Sequence, residues 1–174
     1  NEHVRRLASE GSRPRLPWAM ALPEFKKDPS PTLPILEKLK ADPSDYVRRS
    51  VANHLNDISK DHPNLVIDIA RQWIKGQPET QWIVKHACRT LLKQGKPEVL
   101  ELFGYPEPVE IHVQGFQITP QRVASGKEVQ FEFELVSRAG ELGQLRVEYA
   151  IDFVRLKGVS SRKVFKLSEG PVSQ

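Results

Sequence analysis

Residues Asp42 to Lys60 read DPSDYVRRSVANHLNDISK, and the fold turns on this stretch. Asp42-Pro43 makes a turn, and Ser44 or Asp45 is placed to cap a helix that follows. Val47, Val51, Leu55 and Ile58 then recur at helical spacing and form one apolar stripe. Arg49, Asn53 and Asp57 fall at i, i+4 and i+8, so they line up on a different face. One helix thus carries a core stripe and a separate row of base, amide and acid.

The pattern recurs on both sides. Val4-Arg5-Arg6 precedes Val47-Arg48-Arg49 by 43 residues, and Ile83-Val84-Lys85 follows it by 36. Tyr46 matches Trp82, and Leu55 matches Leu91. In this register Arg6, Arg49 and Lys85 are equivalent, and one turn further on so are Glu10, Asn53 and Arg89. Helix pairs at such a period are the signature of HEAT-like solenoids. Coincidence among basic helices is the alternative, and the repeated cation position argues against it.

The 174 residues allow one or two domains, and 39% hydrophobic with 28% charged residues suits a globular protein. The single cysteine, Cys88, excludes an internal disulfide framework and is expected to be buried rather than reactive. No apolar run approaches the ~20 residues of a membrane helix, and no signal peptide is evident. The lone cysteine fits a reducing cytoplasm, and no membrane partner is expected. The net charge of +4 is uneven. Residues 1–104 carry 17 Lys and Arg against 13 Asp and Glu, whereas residues 105–174 carry nine of each. A basic helical face suits a polyanion, although ordinary solvated helix faces would give the same count.

In chain order, a helix Glu2–Glu10 ends at Gly11, a good C-cap. In GSRPRLPWAMALPEF, Pro14, Pro17 and Pro23 forbid a long helix. Arg13, Arg15 and Trp18 lie here and would serve phosphates and a base or sugar face; alternatively Trp18 plugs the core between repeats. Further helices are predicted from Pro31 through Leu39, over Tyr46–Lys60, Asn64–Lys75 and Glu79–Gln94, and over Pro97–Phe103. From Gly104-Tyr105-Pro106-Glu107-Pro108 onward the period becomes two. Val109, Ile111 and Val113 alternate with polar residues, as do Val129, Phe131, Phe133 and Leu135, and then Leu145 through Phe153. Val164, Phe165 and Leu167 suggest one more strand, with turns at Ser125-Gly126-Lys127 and at 139–143. Four or five strands in 70 residues fall short of the roughly seven of a complete immunoglobulin-type sandwich. The expected class is therefore multidomain α then β: a HEAT-like α-solenoid over 1–104, itself the C-terminal part of a longer solenoid, followed by an incomplete immunoglobulin-like β-sandwich over 105–174.

Three stretches, VRRLASEGSRPRLPWA, DPSDYVRRSVANHLNDISKDHP and KHACRTLLKQGKPEVLELFGY, resemble the AlkC family of DNA alkylation repair proteins, HEAT-like-repeat DNA glycosylases related to the AlkD family. VASGKEVQFEFEL, VEYAIDFV and KVFKL are similar to the immunoglobulin-like domain that some members carry after the solenoid. SEGSRPRLPWA is the most specific piece. The resemblance implies excision of cationic alkylated bases such as 3-methyladenine from double-stranded DNA, by a monomer with no cofactor. It assigns the carboxylate and aromatic roles of the cleft to Glu10, Asp57 and Trp18. The N-terminal repeats expected of a full member are absent from these residues. For DNA contact the expected residues are Arg6, Arg13, Arg15, Arg49, Asn53, Lys85 and Arg89, with Arg162 and Lys163 reaching a groove from the β domain.

The residues themselves leave other roles open. Glu10 is equally placed for an ion pair with Arg6 four residues back, worth about 0.3–0.5 kcal/mol, and Asp57 for a helix-end hydrogen bond. His3, His54, His62, His86 and His112 show no metal-ligand spacing. No phosphate-cradling glycine loop occurs. His86 and Cys88, two residues apart, lie on different helix faces. A non-catalytic DNA-binding solenoid and a protein-interaction scaffold remain as alternatives to a glycosylase.

Overall fold

The structure is a computed structural model that describes residues 1–105, 110–137, 144–156 and 158–171. It divides into two compact units, Asn1–Phe103 and Gly104–Gln174. Each is described by itself.

Eight α-helices make up the first unit: α1 Glu2–Glu10, α2 Pro23–Lys27, α3 Leu33–Leu39, α4 Asp45–Ile58, α5 Pro63–Trp73, α6 Pro78–Ala87, α7 Arg89–Lys93 and α8 Pro97–Leu102, with a 3-10 turn at Ser30–Thr32 before α3. Proline opens α2, α5, α6 and α8, where its missing N–H is not needed and its fixed φ suits the first turn. Helix α4 lies at the centre. It packs between α1 and α6, and α3 and α5 form a second layer against it. Its stripe Val47, Val51, Leu55 and Ile58 is buried, each side chain contributing about 1.5–3 kcal/mol. Ile83, Val84 and Leu91 continue the core on the α6 side. At the other end the register holds but burial does not: Val4, the equivalent of Val47, is 65% exposed, as is its neighbour Leu7 at 68%.

The start of α4 differs in detail from its expected capping. Ser44 occupies the N-cap position, but its hydroxyl is spent on Glu2 of α1 rather than on its own helix. Asp42 organises the turn instead, accepting the Ser44 N–H at 2.9 Å and a two-pronged Arg5 guanidinium at 2.5 and 3.0 Å. The bond from Arg5 holds the Asp42 carboxyl below the usual aspartate value.

The helix expected over Glu79–Gln94 is broken at Cys88 into α6 and α7. The cause is tertiary. In a continuous helix the Thr90 N–H would donate to the His86 carbonyl. That carbonyl accepts from Arg89 Nη1 at 2.7 Å, and the Thr90 N–H turns to Asn56 Oδ1 of α4 at 3.3 Å. Side chains inserted into the ladder bend the helix there. Gly95, at φ +64, then closes α7. Gly11 ends α1 in right-handed geometry, at φ −69, rather than in the left-handed cap expected of a glycine.

In the second unit, β1 Ile111–Thr119 pairs antiparallel with β2 Gln130–Ser137, and β3 Gln144–Val154 with β4 Ser160–Pro171. The two strand pairs meet where the Phe131 ring lies 5.2 Å from that of Tyr149, and Tyr149 in turn stacks on its cross-strand partner Phe165 at 5.2 Å. Strand β1 runs well past the expected Val113. A register shift between Gln114 and Gln117, with Gly115 at φ +61, moves the apolar positions from Ile111 and Val113 to Phe116 and Ile118. The turn at Ser125-Gly126-Lys127 is present, with Gly126 at φ +82. The turn expected at 139–143 and the residues 106–109 lie outside the described residues. The expected order, a helical unit followed by an antiparallel β unit, is what the chain has.

Candidate active site

The chain curls tightly after α1: Gly11 N–H bonds the Leu7 carbonyl at 2.8 Å and Arg13 N–H the Glu10 carbonyl at 3.3 Å. This folds Arg13 beneath the end of the helix, where it is only 6% exposed. Its guanidinium bridges the two carboxylates singled out from the sequence. Nη1 donates to Glu10 Oε1 at 2.6 Å, while Nε and Nη2 reach Asp57 Oδ2 at 2.8 and 2.7 Å. The remaining oxygens are also occupied. Glu10 Oε2 accepts from Ser50 Oγ at 2.7 Å and lies 3.3 Å from Arg6 Nη2, and Asp57 Oδ1 accepts from Lys60 Nζ at 3.0 Å.

Glu10 and Asp57 therefore share one cation, but they are not equally accessible. The Asp57 side chain is 4% exposed and that of Glu10 22%, so Glu10 is the member open to solvent. The row Arg49, Asn53, Asp57 runs from surface to interior along α4. Burial pushes the Glu10 carboxyl up. Hydrogen bonds from Ser50 and Arg13, with the charges of Arg13 and Arg6, outweigh it and hold the group below the usual glutamate value. The ion pair Glu10–Arg6, weighed above as the ordinary role of Glu10, is thus present as one part of a larger network.

Three further residues of this network went unread in the sequence: Ser9, Ser50 and His54, all fully buried. His54 Nδ1 lies 2.9 Å from the Ser9 carbonyl. A carbonyl only accepts, so Nδ1 carries the proton and Nε2 is bare. Nε2 is buried with no hydrogen-bond partner among the described residues. Burial above all pulls the His54 pKa down to about 4. Ser50 and His54, four residues apart on the apolar side of α4, were the available signal: two polar groups on a buried face need partners.

The cations expected to contact DNA divide into two sets. Arg6 stacks at 4.0 Å over the Tyr46 ring, and Arg49 at 5.9 Å over Trp82. Since Arg6 and Arg49, and Tyr46 and Trp82, are equivalent in the repeat, the cation of one helix covers the ring of the next across α1, α4 and α6. The Arg49 side chain is 64% exposed and paired with Asp45 at 2.6 Å, against 23% for that of Arg6. Lys85 holds the equivalent place in α6 and is exposed. Arg89 and Arg13 are turned inward instead. Arg89, half-buried, is tied to the His86 carbonyl and to Asn53 Oδ1 at 3.1 Å, and Asn53 also accepts from His86 Nε2 at 3.2 Å.

Arg15 forms a two-pronged pair with Asp61, with bonds of 2.8 and 3.2 Å. Arg13 is thus not a surface cation of the loop, and Arg15 is pinned to the turn after α4. Trp18 does not plug the core. Its ring is fully exposed, and its φ of +62 is a strained conformation for a non-glycine residue. The loop is closed behind it by the Leu22 N–H on the Pro14 carbonyl at 3.0 Å. In the β unit, Arg162 pairs with Asp152 at 2.8 and 2.9 Å on the surface, and Lys163 lies 5.4 Å over the Phe153 ring. Cys88 is buried, and burial pushes its thiol up to about 12.

Residues 112–174 match the family model described as the C-terminal immunoglobulin-like domain of the uncharacterised protein YhaZ. Over 169 residues, 97% of the chain, the sequence is 54% identical to the protein named Uncharacterized protein YhaZ from Bacillus subtilis (strain 168), and it covers 47% of that protein. Among solved structures it matches the alkylpurine DNA glycosylase AlkC of Pseudomonas fluorescens, bound to DNA containing an abasic site analog, with a TM-score of 0.86 and 47% identity. That match covers 97% of this chain and 47% of the other. AlkD2 of Streptococcus mutans is a more partial likeness, 37% identical over 51% of this chain and 41% of its own, at a TM-score of 0.42. The chain spans about half the length of the relatives it matches.

Proposed function

Because the chain is AlkC-like through both its helical and its β unit, we propose that it forms part of a DNA glycosylase that excises cationic alkylated bases such as 3-methyladenine, with Glu10 and Asp57 as the carboxylates that act on the sugar. The observation that carries this reading is the convergence of the two acids, 47 residues apart in sequence, on the single Arg13 guanidinium. Glycosidic cleavage proceeds through a sugar with oxocarbenium character, which a nearby anion stabilises. A carboxylate there also orients the attacking water. An N3-alkylated base already carries positive charge and leaves neutral without a proton, so no acid is needed on the leaving group.

Glu10, ionised by its hydrogen bonds and partly exposed, suits the anion next to the sugar. Asp57, deeper, holds the far side of Arg13 and so keeps that guanidinium from neutralising Glu10 alone. The exposed Trp18 is placed to stack on a base or sugar, an interaction worth about 1–3 kcal/mol per base. The exposed row of Arg49 and Lys85, with Arg6 behind it, would track phosphates, and Arg162 and Lys163 would reach a groove.

The burial of Asp57 and the internal use of Arg13 favour one second reading, a DNA-binding module in which this cluster only stabilises the fold. Base-release analysis on N-methylated duplex DNA with the whole protein separates the two. Release of free methylated base above the spontaneous rate supports the glycosylase. Duplex binding that weakens steeply with salt, without release, supports the module.

A further inference from the structure

Ser50 carries a hydroxyl that is fully buried and lies between two groups of α1, 2.7 Å from Glu10 Oε2 and 3.1 Å from Ser9 Oγ. A serine has one proton to give. The Glu10 carboxylate only accepts, so the Ser50 proton is directed to it, and the Ser9 hydroxyl then donates to Ser50 Oγ. The same Ser9 is gripped through its carbonyl by His54 Nδ1–H at 2.9 Å, one turn along α4. Two hydroxyl bonds thus run in one sense, from Ser9 to Ser50 and from Ser50 to one Glu10 carboxylate oxygen, while His54 holds Ser9 in place through its backbone carbonyl.

We infer that Ser50 is a positioning residue, which with Ser9 and His54 fixes the orientation of the Glu10 carboxylate and keeps it the accepting, ionised end of the chain. The inference deepens the glycosylase reading and rests on it for its catalytic meaning. The oxygen that Ser50 holds is the one Arg6 approaches at 3.3 Å, and the other is held by Arg13. The groups that face Glu10 are therefore Arg6 on its own helix, Arg13 from the loop that follows, Ser50 and His54 from α4, and Asp57 across Arg13. Among them Ser50 alone is uncharged and directly bonded to the carboxylate. Its removal changes orientation and proton affinity without changing the net charge of the cluster.

The test is the titration of the Glu10 side-chain carboxyl, followed by carbon-13 NMR in the 174-residue chain, for the wild type and for Ser50→Ala. The midpoint should move to higher pH in Ser50→Ala and return in Ser50→Thr, which keeps the hydroxyl. In single-turnover release of 3-methyladenine by the whole protein, the acid limb of the pH–rate profile should move the same way, and the plateau should fall about tenfold, as for loss of one hydrogen bond to a charged group. Where Ser50→Ala does not fold, Ser9→Ala removes only the outer hydroxyl and should give a smaller shift in the same direction. An unmoved Glu10 midpoint in folded Ser50→Ala overturns the positioning role, whatever the activity. A moved midpoint in a protein that releases no base upholds the positioning of Glu10 and defeats the glycosylase reading alone.

Discussion

Replacing Arg13 by methionine probes the centre of the cluster, because it removes the charge and keeps most of the side-chain volume. Arg13 is 6% exposed and makes its contacts to Glu10 and Asp57 inside the protein. Without it, Asp57 is left 3% exposed with Lys60 at 3.0 Å. Glu10 keeps Ser50 and Arg6 and reaches solvent, so most of the loss falls on Asp57. Removing one partner of a buried pair costs about 3–5 kcal/mol, because a charge remains in a place where water cannot reach it. For a unit of this size that corresponds to a fall in Tm of roughly 15 °C or more. Urea unfolding followed by helical circular dichroism measures it. Arg15→Met is the control. Its pair with Asp61 has side chains 35% and 27% exposed, and the expected loss is about 1 kcal/mol or less. The double variant Arg13→Met with Asp57→Leu should recover most of the stability, since no buried charge is then stranded. A loss in Arg13→Met no greater than in Arg15→Met, or a double variant less stable than Arg13→Met, would refute the reasoning.

Other expectations follow from the same network and from the cation row. His54 binds a proton near pH 6.5 when unfolded but only near 4 when folded, so its contribution to stability is full above about 6.5 and is lost as the pH falls toward 4. That loss is on the order of 3 kcal/mol. His54→Asn, which keeps a donor for the Ser9 carbonyl, should flatten the stability profile across this window, and an unchanged slope would remove His54 as its source. Arg49→Ala should weaken binding to duplexes of any sequence and lower the salt slope by about one. Unchanged affinity and slope in Arg49→Ala with Lys85→Ala would take this face out of the DNA track. Cys88, buried with its thiol pushed up to about 12, should react with a thiol reagent only at the rate of unfolding; rapid modification of the native chain would contradict its burial.

Where local pattern and tertiary packing agree, the fold was legible in the sequence. The stripe Val47, Val51, Leu55 and Ile58 both sets the helix and becomes its core, so α4 could be read directly. The break at Cys88 could not, because it depends on Asn56 of another helix capturing the Thr90 N–H. Half of β1 was hidden for a local reason: the bulge at Gly115 changes which residues face inward, so strict alternation ends at Val113. For the site, the repeat register brought out Glu10 and the equivalence of Arg6 with Arg49. It also held the ring ladder, since a cation and an aromatic that both recur in register are set to meet across neighbouring helices. The destination of Arg13 was not legible. Its partners lie 3 and 44 residues away, and nothing in an Arg-Pro-Arg loop says which arginine turns inward. Pro14, buried beside Arg13 while Pro17 is exposed, marks that division only once the fold is known.

The most direct measurement is single-turnover release of 3-methyladenine from N-methylated duplex DNA by the whole protein, comparing wild type with Glu10→Gln and Asp57→Asn. Each variant keeps size and hydrogen bonding and removes one negative charge. If the carboxylates stabilise the developing sugar cation, each should lower the rate about 10²–10³-fold, by analogy with loss of one preorganised transition-state stabiliser. DNA affinity should hold or rise, because removing a negative charge does not directly weaken phosphate binding. Wild-type rates in a well-folded Glu10→Gln variant would contradict the role of Glu10, and wild-type rates in both variants would contradict the assignment of the cluster as the catalytic site.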